Sequence, residues 1–316
     1  MPGRTQRPSA VVYGPVPSRR LGFSLGVDLL PTKTCTFDCV YCQLGGRGKK
    51  TSVRKAYVPT GRAVADVRKA LASGRRVDFI TFSGSGEPTL HCRIGRLIRE
   101  IKRVTKVPVA VLTNASLLSL KEVRDDLKAA DLVVPSLDAA LEPVWRRLNR
   151  PLPSLRLEEI IDGLADFRRV FKGRIWLEVM LVKGMNDGPG NIAALKKAIA
   201  RVKPDKVQLN TVIRPPAEKT ARALSREEME AVRRRLGGRT EIVADFSARK
   251  QTPGGRRLRE VLYGLIRRRP VTREDMTAAL GESREAVDRE LEGLLQEGRV
   301  SAARHKGRTF YEAQSD

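Results

Sequence analysis

Three of the chain's four cysteines fall within residues 34–42, at Cys35, Cys39 and Cys42, in a C-x3-C-x2-C spacing. Thiolates are soft metal ligands. Three packed this closely can hold one centre and leave it a ligand short. A structural zinc closes all four positions, usually from two ligand pairs, and His91 or Cys92 would then have to supply the fourth. An iron–sulfur cluster held by three cysteines instead keeps one iron open for a further ligand. The spacing alone admits both.

Further residues with chemistry to offer recur at one kind of place, just past an apolar run. Ser83-Gly84-Ser85-Gly86-Glu87-Pro88-Thr89 follows the run at 77–82. Thr113-Asn114-Ala115 follows 107–112, and Ser136-Leu137-Asp138 closes 131–136. Glu178 interrupts the run at 175–182, and Lys183-Gly184-Met185-Asn186-Asp187 comes after it. Arg214 follows 207–213. A carboxylate inside an apolar strand must be paired or face a polar interior. Glycines let backbone approach a ligand closely, and Ser or Asp after a strand can equally cap a helix.

The elements that must position these residues alternate. A short strand at 24–30, ended by Pro31, leads directly into the cysteine loop. Strands at 77–82, 107–112, 131–136, 175–182 and 207–213 are separated by helical patterns. One pattern carries Ile94, Leu97, Ile98, Ile101 and Val104; another carries Ile160, Ile161, Leu164, Phe167 and Phe171. Helices at 117–127, 192–202 and 226–236 and a short strand at 241–244 complete the series. Alternation with near-continuous apolar strands predicts an α/β fold, a parallel sheet covered by helices. Residues 1–10 read as disordered, and the Pro- and Gly-rich stretch 13–22 as irregular.

Beyond a polar linker at 247–255 the pattern changes. Leu258, Val261, Leu262, Leu265 and Ile266 share a helix face. Thr272 and Ser283 are caps for two further helices, and 299–311 reads as a hairpin with a basic tip at 304–308. Three helices and a hairpin resemble a winged helix-turn-helix. The division expected is a barrel domain at 1–246, the linker, and a winged-helix-like domain at 256–316.

C-x3-C-x-aromatic-C is the signature of the radical S-adenosylmethionine (SAM) enzymes, and the chain resembles that superfamily over about residues 11–215. The resemblance implies a partial, open (β/α)6 barrel of the TIM type. It implies a [4Fe–4S] cluster on Cys35, Cys39 and Cys42 whose open iron is chelated by SAM. Reductive cleavage then yields a 5′-deoxyadenosyl radical that abstracts a substrate hydrogen. The resemblance places Tyr41 beside the adenine. Ser85, Gly86 and Glu87 fall in the family's GGEP stretch, with Ser85 standing for a Gly. Asn114, Ser136 and Asp138 fall in stretches that face SAM, and Glu178 is a ribose or substrate contact. Arg19, Arg20 and Arg214 are candidates for an anionic substrate. A flavodoxin- or ferredoxin-type reductant is implied. GPVPSRRLG and CTFDCVYCQLG look like a group related to the wyosine synthases, which modify tRNA. Those enzymes carry a second cluster, for which the lone Cys92 is insufficient.

The chain of 316 residues has a formal net charge of +25, with 43 Arg and 18 Lys. A surplus this large points to an anionic partner, RNA being the first class, with a small anionic metabolite or a peptide as the alternatives. Residues 256–316 carry 13 basic and 11 acidic side chains, and 283–297 carries two basic against five acidic. An acidic helix is a poor reader of a phosphate-lined major groove, which argues against sequence-specific DNA binding. A zinc-containing nucleic-acid-binding or adaptor protein is the reading from another class. No apolar run reaches the length of about 18–20 residues that spans a bilayer. No disulfide framework or apolar leader is evident, so a reducing cytoplasm is expected.

Overall fold

The computed structural model describes residues 11–31, 33–44, 50–216, 218–243, 258–267, 269–305 and 307–314. Residues 1–10 and 244–257, which include the expected linker at 247–255 and the boundaries around it, lie outside the described residues.

Eight strands form one sheet whose spatial order follows the chain. β1 (Val12–Ser18) and β2 (Gly22–Val27) are an antiparallel hairpin. From β2 onward every pairing is parallel: β3 (Phe79–Phe82), β4 (Val109–Thr113), β5 (Leu132–Pro135), β6 (Arg174–Leu181), β7 (Lys206–Thr211) and β8 (Thr240–Ile242). Helices α1 (Thr60–Leu71), α2 (Ile94–Val104), α3 (Lys121–Leu127), α4 (Glu142–Asn149), α5 (Leu157–Val170), α6 (Pro189–Val202) and α7 (Arg226–Leu236) connect them. Among the described residues β8 does not pair with β1, so the sheet stays open. The amphipathic spacing of α2 does what it predicts: Ile94, Leu97, Ile98 and Ile101 are fully buried, each stabilising the fold by about 1.5–3 kcal/mol.

Two expectations need correction. Residues 13–22 are not irregular; most of them build β1 and its turn. Pro15 and Pro17 are tolerated because β1 is an edge strand, where a missing N–H leaves no ladder bond open. The register slips between Tyr13 and Val16, as a bulge allows. The second is α4, which the apolar pattern did not announce. Its buried residues are Trp145, Leu148 and Asn149, too short a run to read from periodicity, and Arg150 ends it in the left-handed conformation.

The C-terminal module contains α8 (Leu258–Ile266), α9 (Arg273–Leu280), α10 (Arg284–Gln296) and an antiparallel hairpin of β9 (Val300–His305) and β10 (Arg308–Ala313). Thr272 caps α9 in a capping box with Asp275, and Ser283 caps α10. Of the basic tip at 304–308, Lys306 lies outside the described residues. The module's core of Leu262, Ile266, Met276, Val287 and Leu291 also takes in Val16 of β1. The module therefore covers the outer edge of the hairpin, and Arg75 reaches from the barrel to the carbonyl of Ala279. Among the described residues no helix is long and apolar enough to cross a membrane.

Candidate functional site

The cysteine loop leaves the C-terminal end of β2, the end at which parallel barrels carry their chemistry. Backbone bonds lash it down on both sides. Thr34 bridges Gly86, and Glu87 N–H donates to the Thr34 carbonyl at 3.1 Å. Asp38 N–H donates to the Asn149 carbonyl and Val40 N–H to the Leu148 carbonyl, both at 3.0 Å. Lys33 pairs with Asp38 at 2.6 Å. The loop is thus clamped between the turn after β3 and the end of α4.

Cys35, Cys39 and Cys42 are all half-buried. Asn114 Nδ2 donates to Cys35 Sγ at 3.4 Å, and Asn149 Nδ2 to Cys39 Sγ at 3.3 Å. Burial lifts the Cys35 thiol to about 12, with the Glu87 carboxylate adding to the effect. Burial likewise pushes Cys39 and Cys42 up. Thiolates at this loop need a positive centre to stabilise them, which bound metal provides.

The donor set fits a cluster better than a zinc ion. His91 is fully buried and both ring nitrogens face backbone groups: Nε2 lies 2.9 Å from the Val58 carbonyl, and Nδ1 accepts from Arg93 N–H at 3.2 Å. Cys92 is exposed. One zinc ion with bonds of about 2.3 Å needs its sulfurs within about 4 Å of each other. Among the described residues no group of three or more His, Cys, Asp or Glu side chains is spaced to hold a metal ion. In a cubane cluster each cysteine holds its own iron, so the sulfurs stand further apart.

The remaining expected residues divide into those that face open space and those that hold the site from beneath. Glu87 is buried and its carboxylate is saturated. Oε1 accepts from Thr89 N, Thr89 Oγ1 and Thr113 Oγ1, and Oε2 from Asn114 N at 2.7 Å. Burial raises its pKa while these donors pull against it. Ser85 is spent on Asp28, with Oγ at 2.6 Å from Oδ2. Gly86 is required by contact, since a Cβ there would meet the Thr34 carbonyl oxygen. Asp138 accepts from Tyr41 Oη, from Asn149 Nδ2 at 2.8 Å and from Met180 N at 2.8 Å. Burial lifts its carboxyl to about 6 against those donors. Ser136 bridges Glu178 through backbone, and its hydroxyl has no partner among the described residues.

Arg20 and Glu178 are committed to each other. Nη1 and Nη2 of Arg20 reach the two carboxylate oxygens at 2.9 and 3.1 Å, and Asn210 Nδ2 adds a third bond. Burial would raise Glu178, but Arg20 outweighs it and holds the carboxylate below its usual range. In this structure both are engaged with each other, where their sequence positions suggest a ribose and an anion contact. Arg19 crosses the open seam to Asn210 Oδ1 at 2.6 Å and the Val243 carbonyl at 3.3 Å.

A cavity of about 350 Å³ opens beside the cysteine loop. Tyr41, Cys42, Arg19, Arg20 and Arg214 line it. Ser85, Gly86, Glu87, Asn114, Ser136, Asp138 and Glu178 are not among its lining residues. The structure adds residues that the sequence did not mark. Gln208 and Asn210 are buried at alternate positions of β7, a period-2 polar pair inside an apolar strand that signals an interior polar face. Asn149 and Arg269 had no signal of that kind.

Residues 29–195 match the radical SAM superfamily. A UPF0026 protein of Methanocaldococcus jannaschii is 30% identical over 310 residues, covering 95% of both chains. A protein of Brachyspira hyodysenteriae named GTPase Obg is 37% identical over 292 residues, which is 92% of this chain and 43% of that protein. This chain therefore spans less than half the length of that relative. The crystal structure of a radical SAM methyltransferase from Sphaerobacter thermophilus aligns with a TM-score of 0.51 at 20% identity, over 69% of this chain and 65% of that one; the likeness is one of fold.

Proposed function

The chain belongs to the radical SAM superfamily, within its UPF0026 group, and is an enzyme that works with a [4Fe–4S] cluster and SAM; we propose that Cys35, Cys39 and Cys42 hold that cluster and that an anionic substrate occupies the adjoining cavity. When bound, the cluster and SAM supply a 5′-deoxyadenosyl radical for hydrogen abstraction, given one electron from a flavodoxin- or ferredoxin-type donor. The chain's own residues position and insulate that chemistry. Asn114 and Asn149 donate to two of the three sulfurs, which favours the thiolate and tunes its potential. Glu87 ties the loop after β3 to the loop after β4, and Asp138 holds Tyr41 at the cavity wall. Ser136, with its unengaged hydroxyl, and the backbone around Gly86 are the contacts proposed for SAM itself.

The observation that carries this reading is the convergence of all three cysteines in one clamped loop, with Cys42 and Tyr41 opening onto the cavity that Arg19 and Arg214 line. Among substrates, the surplus of +25 supports RNA, and kinship with the wyosine synthases would agree with it. A small anionic metabolite fits the size of the cavity. The C-terminal module has the element order of a winged helix, but its acidic α10 suits a docking or covering role. A reducing cytoplasm is the compartment this chemistry needs.

Iron content and EPR of anaerobically purified, reduced protein test the reading. Expected are about four irons per chain and a cluster signal that shifts on adding SAM. Cys39→Ala should abolish 5′-deoxyadenosine formation. Zinc without iron, or a Cys39→Ala protein that still cleaves SAM, would refute it.

A further inference from the structure

The cavity beside the cysteine loop carries more positive charge than its surroundings neutralise. Four guanidiniums line it, from Arg19, Arg20, Arg214 and Arg269. Arg20 is cancelled by Glu178. Arg19 has only neutral acceptors, Asn210 Oδ1 and the Val243 carbonyl. Arg214 is 6% exposed and has neither a hydrogen bond nor an ion pair among the described residues. Arg269 comes from the C-terminal module, between α8 and α9. Its buried Nε has no hydrogen-bond partner, and it forms no ion pair among the described residues.

These three charges repel one another. Arg19 and Arg214 each feel Arg269 as an unfavourable neighbour, and Arg214 feels Arg19. The carboxylates that oppose them are Glu178, which acts on Arg19 but is already ion-paired with Arg20, and Asp275 of α9, which acts on Arg19 and Arg214 and is already the capping-box partner of Thr272. Buried charges are ordinarily paired. Arg214 is buried and Arg19 and Arg269 are half-buried; sharing one cavity wall with no carboxylate hydrogen-bonded to any of them among the described residues, they are arranged for an anion that arrives from outside.

We propose that Arg19, Arg214 and Arg269 form a clamp for the phosphate of a phosphomonoester substrate, and that the C-terminal module supplies one of its arms. The charge count selects the ligand. Three guanidiniums against Asp275 leave a net of +2, and a phosphomonoester carries about −1.5 to −2 near neutral pH. A carboxylate or an internal phosphodiester brings only one charge. The planar guanidinium fork matches phosphate oxygens two at a time. A cavity of about 350 Å³ is at the lower end of small-ligand pockets, which run from about 300 to 1,000 Å³. The clamp rests on reading this cavity as the substrate pocket. It gives the module a place in the active site, as the wall that closes over β1.

The test is binding of inorganic phosphate to the full, anaerobically reconstituted chain by isothermal titration. It compares wild type, Arg269→Gln, Arg214→Met and the exposed control Arg96→Gln. Saturable binding at one site is expected, weakened at least tenfold by Arg269→Gln and by Arg214→Met and unchanged by Arg96→Gln. A nucleoside 5′-monophosphate should displace phosphate; the nucleoside, or an oligoribonucleotide without a terminal phosphate, should not. If a 5′-phosphorylated oligoribonucleotide displaces it as well, the source is an RNA end; if only the mononucleotide does, it is a free metabolite. Arg214→Met should also raise the thermal midpoint, because it removes a buried unpaired charge, whereas a merely misfolded variant would lower it. Equal phosphate binding by wild type and Arg269→Gln overturns the clamp, as does displacement by an oligoribonucleotide lacking a terminal phosphate. Iron content and SAM cleavage on the same samples keep the two readings separable. Their absence with phosphate binding intact removes the cluster assignment alone, and their presence with phosphate binding insensitive to Arg269 removes the clamp alone.

Discussion

Replacing Gly86 with alanine tests how tightly the cysteine loop is set against the loop after β3. A Cβ at this position would lie 1.9 Å from the Thr34 carbonyl oxygen and 2.8 Å from its carbon. Real Cβ atoms essentially never approach closer than 3.0 Å, so the two backbones must separate by about 1.1 Å, from 1.9 to at least 3.0 Å. Leu30 Cδ1, at 2.9 Å, can rotate away, but Thr34 cannot, because its carbonyl also accepts from Glu87 N–H. Overpacking of this kind costs about 1–3 kcal/mol, and losing the hydrogen bond adds about 0.5–1.5 kcal/mol. A total of about 1.5–4.5 kcal/mol leaves a domain of ordinary stability, about 5–15 kcal/mol, folded. The site is less forgiving, since functional groups must be held to within about 0.5 Å, and Thr34 directly precedes Cys35. Gly86→Ala should therefore fold, show a lower urea midpoint, and retain markedly less iron after anaerobic reconstitution. Gly61→Ala, with nothing within 4 Å of its Cβ and a place in α1 where alanine is favoured, is the control: it should keep the wild-type iron content and a urea midpoint no lower than wild type. Wild-type iron content and an unchanged urea midpoint in Gly86→Ala would show that the two loops are not in the contact described.

Three further outcomes are expected. Arg20→Met strands the buried Glu178 carboxylate and should cost about 3–5 kcal/mol in urea denaturation, while Arg20→Met/Glu178→Leu recovers most of it; additive single effects would contradict the pairing. Asn149→Leu removes the donor to Cys39 Sγ, Tyr41 Oη and Asp138 Oδ2. It should cost about 1–3 kcal/mol and lower the cluster's midpoint potential in an EPR titration, and an unchanged potential would count against the sulfur contact. His91 is held below the usual histidine range by burial, so the unfolded chain takes up a proton before the native one as the pH falls. Its contribution to stability is present above the unfolded value of about 6.5 and is lost as the pH falls through the lower folded value. Wild type should therefore lose more stability than His91→Gln between pH 7.5 and 5.5, and parallel losses would refute this.

Much of the architecture was legible because it is written in short-range periodicity. α7 has the bounds its pattern predicts, and the strands at 77–82 and 107–112 become β3 and β4, each starting two residues later, with β4 running one residue further to Thr113. β1 was not legible, because Pro15 and Pro17 read as breakers until the strand is known to lie at an edge. The six parallel strands expected over 24–213 are present as β2–β7, and β8 adds a seventh that pairs parallel to β7.

At the site, the sequence by itself determined the donor types. It placed three thiols in one loop and polar stretches after successive strands, because the metal-ligand spacing and the strand-to-loop order are local properties of the chain. Which of those groups remain free was decided only by the tertiary structure. Arg20 and Glu178 lie 158 positions apart and neutralise each other; Glu87 and Asn114, 27 apart, bind each other. Asn149 reaches Cys39 across 110 positions, and Arg269 joins Arg19 and Arg214 only because the C-terminal module packs on β1. The physical reason is the same in each case. A charged or amide side chain is chemically identical wherever it stands in the chain, and the partner that satisfies it is set by burial and by contacts between distant segments, which no local pattern encodes.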